Sequence, residues 1–330
     1  MGFFSRRKTA FTRDHAGCFP VGHLCGWAGP SGFGSRATAC EVVDAAGGAR
    51  GALAGRVVVV TGGNTGIGYE TALALAMGGA RVVLACRDAA AGDAAARAMT
   101  AEVEASRDVA LEGEEATPPD VRTEVLDLAS FASTRAFAAR LVTRKISVHV
   151  LIHNAGIMPS PFALTENGHE RAFHVNALGP FLLTRLLLRS TLRFARGTTR
   201  TDPCRVVFVT SAVHRFSYPE RVRFERLSGD AARVKYDPVK SYAQSKLCQI
   251  VLAREFHARY RASRRARDAH VAFFAVHPGA VITEGSERAR LESSGRRGAI
   301  LHVVGRPFVK ARSYLHWSPY DRVRVVNADP

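Results

Sequence analysis

Six short apolar runs, rich in β-branched residues, recur between about residue 56 and about residue 280. They lie at residues 56–60, 81–86, 121–126, 148–152, 205–210 and 271–276. Continuous apolar runs are typical of strands that a parallel sheet buries on both faces. Helical patterns alternate with these runs, so the sequence predicts the α/β class. The expected architecture is a single-domain, three-layered, Rossmann-type doubly wound parallel sheet.

A glycine-rich turn follows the first run and precedes a predicted helix at residues 69–77, which ends at Gly78-Gly79. The turn comprises Gly62, Gly63, Asn64, Thr65, Gly66, Ile67 and Gly68. Glycines allow a tight bend and a close approach of the backbone to a pyrophosphate. The helix that follows directs unpaired N–H groups at the phosphates. A strand, a glycine-rich turn and a helix in this order predict a dinucleotide site.

Polar motifs follow the later strands of the predicted sheet. They are Asp127-Leu128, Asn154-Ala155-Gly156, Thr210-Ser211 and His277-Pro278-Gly279. An open parallel sheet collects its ligand at the carboxyl ends of its strands. We therefore expect these motifs to share one edge with the glycine-rich turn.

Tyr242 and Lys246 are four residues apart in a helical pattern, so both side chains project from one helix face. The ammonium group of Lys246 should favour the phenolate and lower the pKa of Tyr242 from about 10. Tyr242 would then exchange a proton with a carbonyl or alcohol oxygen while a hydride moves at carbon. Ser211 would hydrogen-bond the same oxygen and stabilise its developing charge.

Charge and cysteine content narrow the possible partners. The net charge is +17, but the arginines are spread along the chain and no nucleic-acid-binding module is recognisable, so we expect no nucleic-acid partner. Six cysteines lie apart from one another without Cys-x-x-Cys spacing. This pattern argues against a zinc site or disulfide framework, fits a reducing compartment, and predicts no bound metal.

Residues 1–50 are rich in Gly, Arg and Ala and lack periodicity, which predicts a disordered leader or a targeting segment. The localisation predicted is cytoplasmic or organellar, with a transit peptide as the organellar alternative. The apolar run at residues 181–188 is interrupted by Arg185, and no run is long enough to span a bilayer.

The chain resembles the short-chain dehydrogenase/reductase superfamily over residues 51–310, and within it the branch of retinol dehydrogenases and WW-domain-containing oxidoreductases. The residues that carry the resemblance are 61–68, 86–88, 127–130, 154–156, 175–176, 181–184, 209–211, 245–248 and 277–279. No WW module is visible, because Trp27 and Trp317 lie far apart and outside the core.

The resemblance implies a catalytic set of Asn176, Ser211, Tyr242 and Lys246, in which Asn176 holds a water that links Lys246 to solvent. It also implies the residues that bind the cofactor: Gly62, Gly63, Asn64, Thr65, Gly66, Ile67, Gly68, Arg87, Asp127, Leu128, Asn154, Ala155, Gly156, Tyr242, Lys246, Pro278, Gly279, Val281 and Thr283. The segment between Ser211 and Tyr242 is similar to an insertion in the retinol dehydrogenases. We expect His214 to contact this insertion rather than act as a base.

The end of the second strand bears on the choice of cofactor. An acidic residue there would bond the ribose 2′-hydroxyl of NAD and repel a 2′-phosphate. This chain has Cys86 and then Arg87, whose guanidinium suits a phosphate. NADP(H) is therefore predicted in preference to NAD(H).

The C-terminal part departs from the family pattern, with an atypical tail at residues 311–330. The expected consequence is an incomplete edge of the sheet, which disfavours dimers of the family type. The predicted function is NADP(H)-dependent interconversion of a carbonyl and an alcohol on an apolar substrate such as a retinoid, steroid or lipid aldehyde. The alternative is a cofactor-binding or scaffolding protein whose catalysis is impaired by the atypical C-terminus.

Overall fold

The computed structural model describes residues 33, 37–45, 51, 53–108, 118–190, 192, 197–199, 202–263 and 270–278. Its centre is a six-stranded sheet in the order β3-β2-β1-β4-β5-β6, in which every neighbouring pair is parallel. The strands are β1 Val57–Thr61, β2 Arg81–Cys86, β3 Val121–Val125, β4 Val150–His153, β5 Cys204–Val209 and β6 Val271–Val276. The strand order reverses between β1 and β4, which is where a doubly wound sheet binds its ligand.

Helices cover both faces of this sheet. The helices are α1 Ala39–Ala45, α2 Gly66–Met77, α3 Ala89–Asp108, α4 Phe131–Thr143, α5 Arg171–Phe173, α6 Gly179–Ser190 and α7 Pro238–Arg261. A π-turn, His174–Leu178, joins α5 to α6. Three 3₁₀ helices, Ala212–Phe216, Phe224–Arg226 and Asp230–Arg233, lie in the insertion before α7.

Alternate residues of β1 face two separate cores. Val57 and Val59 pack in a cluster with residues of α4, α6 and α7, whereas Val58 and Val60 pack in a cluster with residues of α2 and α3. All five residues of β1 are buried. The strand reads as an unbroken apolar run because both of its faces are covered by helices. The predicted three-layered fold class is thus confirmed.

Element boundaries differ slightly from those predicted. β1 extends to Thr61, which is fully buried and pairs with Ala85. β4 begins at Val150 rather than at residue 148, and the preceding His149 accepts a hydrogen bond from the Val57 N–H at its ring Nδ1, at 3.0 Å. The helix after the glycine-rich turn begins at Gly66 rather than at Tyr69, because the turn itself runs directly into helical backbone.

The predicted leader, residues 1–50, contains a short helix, α1, and its assignment as a leader stays a prediction. Thr38 and Glu41 form a reciprocal capping box: the Glu41 carboxylate accepts from the Thr38 N–H at 2.6 Å, and the Thr38 hydroxyl accepts from the Glu41 N–H at 3.1 Å. Val43 and Leu53 crowd Gly78 at the end of α2. Capping and packing against α2 therefore order a segment that lacks long-range periodicity.

Residues 1–32, 34–36 and 46–50 of the predicted leader and the stretch beyond Pro278, which includes residues 311–330, lie outside the described residues. The predicted incomplete C-terminal edge and the atypical tail therefore stay predictions. Within the described part of the chain, no helix has the length and apolarity needed to cross a membrane.

Candidate active site

The glycine-rich turn is braced by Asn154, which follows β4. The Asn154 side-chain amide donates to the carbonyl oxygens of Thr61 and Gly62, each at 3.1 Å. The hydroxyl of Thr61 accepts from the backbone N–H groups of Asn154 and Ala155, both at 3.1 Å. These bonds join the carboxyl ends of β1 and β4, at the point where the strand order reverses.

Glycine is required at particular positions of this turn. Gly62 and Gly66 have positive φ angles of 64° and 56°, which L side chains rarely adopt. A Cβ on Gly68 would lie 2.2 Å from the carbonyl oxygen of Gly62 and 2.4 Å from Nδ2 of Asn154. The backbone of the turn therefore packs closely against itself and against Asn154.

Tyr242 and Ser211 meet at the carboxyl edge of the sheet. Ser211 follows β5, and Tyr242 lies in the second turn of α7, whose N-terminus is capped by Asp237: its carboxylate accepts from the Lys240 N–H at 2.9 Å. Hydrogen bonding with the Ser211 side chain acts to lower the pKa of Tyr242. Thr210 fixes this helix beside β5, because its hydroxyl donates to the carbonyl oxygen of Lys246 at 2.8 Å.

Lys246 lies one helical turn beyond Tyr242 and is buried. Its Nζ donates to the carbonyl oxygen of Val209 at 2.8 Å and lies 5.7 Å from the centroid of the Tyr242 ring. A Cβ on Gly156 would come within 3.3 Å of this Nζ, so glycine leaves room for the ammonium group. Burial lowers the pKa of Lys246 to about 8.

The electrostatics at Tyr242 differ from the prediction that Lys246 lowers its pKa. Burial raises the pKa of Tyr242, and the opposing contribution comes from the hydrogen bond with Ser211. The physical reason is that desolvation penalises the phenolate, while the ammonium group of Lys246 is directed at Val209. In this arrangement Tyr242 is a neutral hydrogen-bond donor near pH 7.

Asn176 lies within the π-turn and is fully buried. Its Oδ1 accepts from the Ile157 N–H at 2.8 Å, and its Nδ2 donates to the Ile157 carbonyl oxygen at 3.1 Å and to the Ser245 hydroxyl at 2.9 Å. Its backbone carbonyl accepts from Nε2 of Gln249 at 2.8 Å. The side chain therefore braces the loop after β4 against α7, and the water that the resemblance assigns to Asn176 stays a prediction.

The parallel sheet carries a glycine-rich turn where its strand order reverses, and Ser211, Tyr242 and Lys246 lie at the same edge. This arrangement agrees with a family that the sequence also matches. The sequence model described as short chain dehydrogenase matches residues 56–224. The chain belongs to this family. The resemblance to the branch of retinol dehydrogenases and WW-domain oxidoreductases is confirmed by the relatives.

Retinol dehydrogenase 12 of Mus musculus is 38% identical over 232 residues, which cover 70% of this chain and 63% of the relative. The WW domain-containing oxidoreductase of Gallus gallus is 34% identical over 263 residues, covering 78% of this chain and 56% of the relative. The chain thus spans less than two thirds of the length of these relatives. A crystal structure of an uncharacterized protein from Mycobacterium Paratuberculosis has a TM-score of 0.52 at 34% identity and covers 69% of each chain.

The end of β2 is where the sequence predicts contact with the cofactor through Arg87. Burial raises the pKa of the Cys86 thiol to about 11, against a smaller lowering by the backbone N–H groups of Gly63 and Asn64, so the thiol is neutral beside the glycine-rich turn. Arg87 follows and is exposed. The Asp88 carboxylate accepts from the Ala91 N–H at 3.0 Å, so it caps the start of α3.

The two residues of the motif after β3, Asp127 and Leu128, lie in different surroundings, the first in a turn and the second in the core. The Asp127 carboxylate accepts from the Ala129 N–H at 2.8 Å, which closes the turn into α4. The side chain of Leu128 packs in the core, and the assignment of Leu128 to the cofactor stays a prediction. An apolar side chain there is buried by α6, because Gly179 packs directly on the Leu128 carbonyl. Pro278 follows β6 at the same edge, whereas Gly279, Val281 and Thr283 lie outside the described residues.

Several residues that shape the site were not identified from the sequence. Ser245, Gln249, Glu170 and Tyr236 each form hydrogen bonds that position site elements. Ser245 directly precedes Lys246, but nothing in its spacing indicated a partner 69 residues away. His214, expected to contact the insertion, hydrogen-bonds through Nδ1 with the carbonyl oxygen of Ser211 at 2.7 Å. Among the described residues, no cluster of three His, Cys, Asp or Glu side chains is arranged to hold a metal ion.

Proposed function

We propose that this protein is an oxidoreductase that interconverts a carbonyl and an alcohol on an apolar substrate with NADP(H). The observation that carries the proposal is the placement of Tyr242 and the buried Lys246 beside the end of β5, which Ser211 follows. Lys246 Nζ lies 5.7 Å from the centroid of the Tyr242 ring and bonds to Val209, and Thr210 bonds to Lys246. These groups lie at the same sheet edge as the glycine-rich turn. A hydroxyl pair next to a dinucleotide site is suited to proton exchange at an oxygen while the adjacent carbon changes its oxidation state.

The nicotinamide cofactor, when bound, supplies the hydride to carbon or accepts it. In the reducing direction the neutral Tyr242 hydroxyl donates its proton to the carbonyl oxygen of the substrate. Ser211 holds that oxygen and stabilises the charge that develops on it. Because burial brings the pKa of Lys246 to about 8, its ammonium group can lose and regain a proton close to neutral pH. It is therefore suited to restoring the proton of Tyr242.

The residues present fit a dinucleotide. Cβ atoms on Gly62 and Gly68 would collide with the neighbouring backbone, with Ala155 Cα at 3.0 Å and Gly62 O at 2.2 Å respectively, so the close-packed turn depends on glycine. The 12-residue helix α2 begins at Gly66 and directs its free N–H groups toward the turn. We assign the pyrophosphate to this cradle.

The preference for NADP(H) rests on charge at the end of β2. Cys86 is neutral beside the glycine-rich turn, and Arg87, the next residue, is an exposed cation. The nearest acidic side chain in sequence, Asp88, is engaged as a helix cap. Asp88 is therefore not available to bind the ribose 2′-hydroxyl. The guanidinium of Arg87 then favours a cofactor with a 2′-phosphate.

The substrate class follows from the relatives and from the insertion. The relatives named as retinol dehydrogenases suggest a retinoid, and a steroid or lipid aldehyde has the same long apolar shape. Phe216 and Phe224 in the insertion are 65% and 74% exposed, and Met158 in the loop after β4 is 40% exposed. Exposed apolar side chains in the two segments next to the site suit an apolar substrate.

The decisive experiment measures NADPH oxidation with a panel of aldehydes and ketones that includes all-trans-retinal. Tyr242→Phe should lower turnover by about 100-fold or more, because it removes the acid–base group. Tyr260→Phe is a control on the same helix, since its ring would still pack on Phe273. Activity that survives in Tyr242→Phe contradicts the mechanism. NADPH binding without turnover of any compound would indicate a protein that only binds the cofactor.

A further inference from the structure

One tyrosine hydroxyl in the insertion joins three separate segments of the chain. The hydroxyl of Tyr236 lies 2.9 Å from the carbonyl oxygen of Ser160 and 3.4 Å from Oε1 of Glu170. Ser160 belongs to the loop after β4, and Glu170 directly precedes α5. These contacts join the insertion to both segments.

Each of the three segments leads directly to a residue of the proposed catalytic set. The loop of Ser160 begins at Gly156 and Ile157, which Asn176 holds by two hydrogen bonds. Glu170 caps α5, because its carboxylate accepts from the N–H groups of Ala172 and Phe173 at 2.9 and 2.7 Å, and α5 continues into the π-turn with Asn176. The position of Tyr236 therefore couples the loop after β4 to the helix of Asn176.

The third segment is the start of α7. Tyr236 directly precedes Asp237, the N-cap residue of the helix that carries Tyr242 and Lys246. Asp237 is held in turn by Tyr218, whose hydroxyl accepts from the Asp237 N–H at 3.0 Å. A shift of Tyr236 would thus be transmitted to the first turn of α7.

The ring of Tyr236 adds an apolar contact to the same loop. It packs edge-on against Phe162, with centroids 5.2 Å apart, and the guanidinium of Arg233 lies 5.0 Å from the Phe162 ring centroid. Glu170 is 2% exposed, so its carboxylate cannot be solvated in place of these contacts. Burial, and then the charge of Glu170, raise the pKa of Tyr236, which keeps its hydroxyl protonated as a donor.

We propose that Tyr236 is a positioning residue that fixes the loop after β4 against the N-terminal end of α7 and so sets how a carbonyl substrate approaches Tyr242. This inference rests on the proposed function. The loop after β4 begins at Gly156, beside Nζ of Lys246. The insertion leads into α7 with Tyr242, and Tyr236 is a direct hydrogen-bonded link between the two segments. Loss of the Tyr236 hydroxyl should make the loop after β4 more mobile and weaken substrate binding, while the glycine-rich turn stays intact.

The test is Tyr236→Phe, which removes the hydroxyl and keeps the ring on Phe162. We expect kcat/KM for all-trans-retinal to fall roughly fivefold, the loss of one buried hydrogen bond, with most of the change in KM. The dissociation constant for NADPH should stay at the wild-type value. Phe162→Leu weakens the contact between this loop and the Tyr236 ring, so it should also raise KM.

Tyr218→Phe is the matched control. It removes another hydroxyl of the insertion that bonds to Asp237, but the hydrogen bonds of that hydroxyl do not extend to the loop after β4. We expect a similar loss of melting temperature in both tyrosine variants and a raised KM only in Tyr236→Phe. An equal rise of KM in Tyr218→Phe, or wild-type kcat/KM in Tyr236→Phe, overturns the proposal.

Hydrogen–deuterium exchange separates this inference from the proposed function. Tyr236→Phe should speed amide exchange at residues 157–170, and Tyr218→Phe should not. This readout needs no turnover, so it applies even if the wild-type protein reduces no compound in the panel. Unchanged exchange at residues 157–170 in Tyr236→Phe overturns the positioning role, whereas failure of all compounds with wild-type protein counts against the proposed function.

Discussion

The side-chain amide of Asn176 donates a 2.9 Å hydrogen bond to the hydroxyl of Ser245, a residue 69 positions further along the chain. Ser245 in turn donates to the carbonyl oxygen of Tyr242 at 2.7 Å. The π-turn is therefore connected through one hydroxyl to the helical turn that carries Tyr242. A π-turn within a helix is frequent at functional sites, and here it places a buried amide between two site elements.

Ser211→Ala should reduce activity and move its pH dependence. The hydrogen bond from Ser211 is the contribution that lowers the pKa of Tyr242 against the effect of burial, so its loss raises that pKa further. We expect kcat to fall by about 100-fold, as for loss of one donor to a developing oxyanion. In the oxidising direction, which needs the phenolate, the ascending limb of the pH profile should move to higher pH. A lower rate with an unmoved limb would show that Ser211 acts only on the substrate.

Arg87→Asp should change the choice of cofactor. A charge-assisted contact to the 2′-phosphate contributes about 1.5–3 kcal/mol, or roughly tenfold or more in affinity, and the aspartate adds repulsion. NADPH should therefore bind much more weakly, while NADH binds nearly as before. Fluorescence titration of both cofactors measures the effect.

The control for this substitution is Arg97→Asp, the same change of charge at an exposed position of α3. It should alter both cofactors equally and only slightly. If the wild-type protein prefers NADH, or if Arg87→Asp weakens both cofactors to the same degree, the assignment of NADP(H) is wrong.

Gly68→Ala should abolish cofactor binding. The new Cβ would meet the Gly62 carbonyl oxygen at 2.2 Å and Asn154 Nδ2 at 2.4 Å, so the glycine-rich turn has to move. Gly168→Ala is a useful comparison, because its φ of +75° is strained but nothing lies within 4 Å of the new Cβ. That strain should cost about 1–2 kcal/mol of folding free energy and leave NADPH binding intact. Equal NADPH affinity in the two variants would contradict the assigned cradle.

His174 should make the fold sensitive to acid. The ring is fully buried, its Nδ1 lies 2.8 Å from the Thr165 hydroxyl, and its Nε2 has no hydrogen-bond partner among the described residues. Burial, with His169 adding to it, lowers the pKa from 6.5 to about 4. The unfolded chain therefore binds the proton more readily, so the stabilisation is complete above pH 6.5 and is lost as the pH falls toward 4.

The substitution that tests this effect is His174→Gln. The melting temperature of the variant should depend less steeply on pH between 6.5 and 4 than that of the wild-type protein. His153, whose pKa burial lowers to about 3, remains in the variant, so part of the acid sensitivity should persist. Identical slopes for the variant and the wild-type protein would mean that His174 does not titrate with unfolding.

Local patterns in the sequence were sufficient to predict the sheet and much of the site. The strands were identified within about two residues, because burial on both faces produces unbroken apolar runs. The glycine-rich turn and the Tyr242–Lys246 pair were recognisable because their chemistry depends on residues that are adjacent or one helical turn apart. The helix Ala39–Ala45 was missed, since its stability comes from packing on α2 rather than from its own periodicity.

The sequence by itself determined the class of fold and predicted the dinucleotide cradle and the acid–base residues, since each of these inferences depends on neighbouring residues. Only the tertiary structure decided where Lys246 directs its ammonium group, that burial sets the pKa of Tyr242, and that Leu128 packs in the core. It also decided the contacts of Tyr236 with Ser160 and Glu170. Desolvation and contacts between distant segments depend on strand order and helix docking, which no local pattern contains.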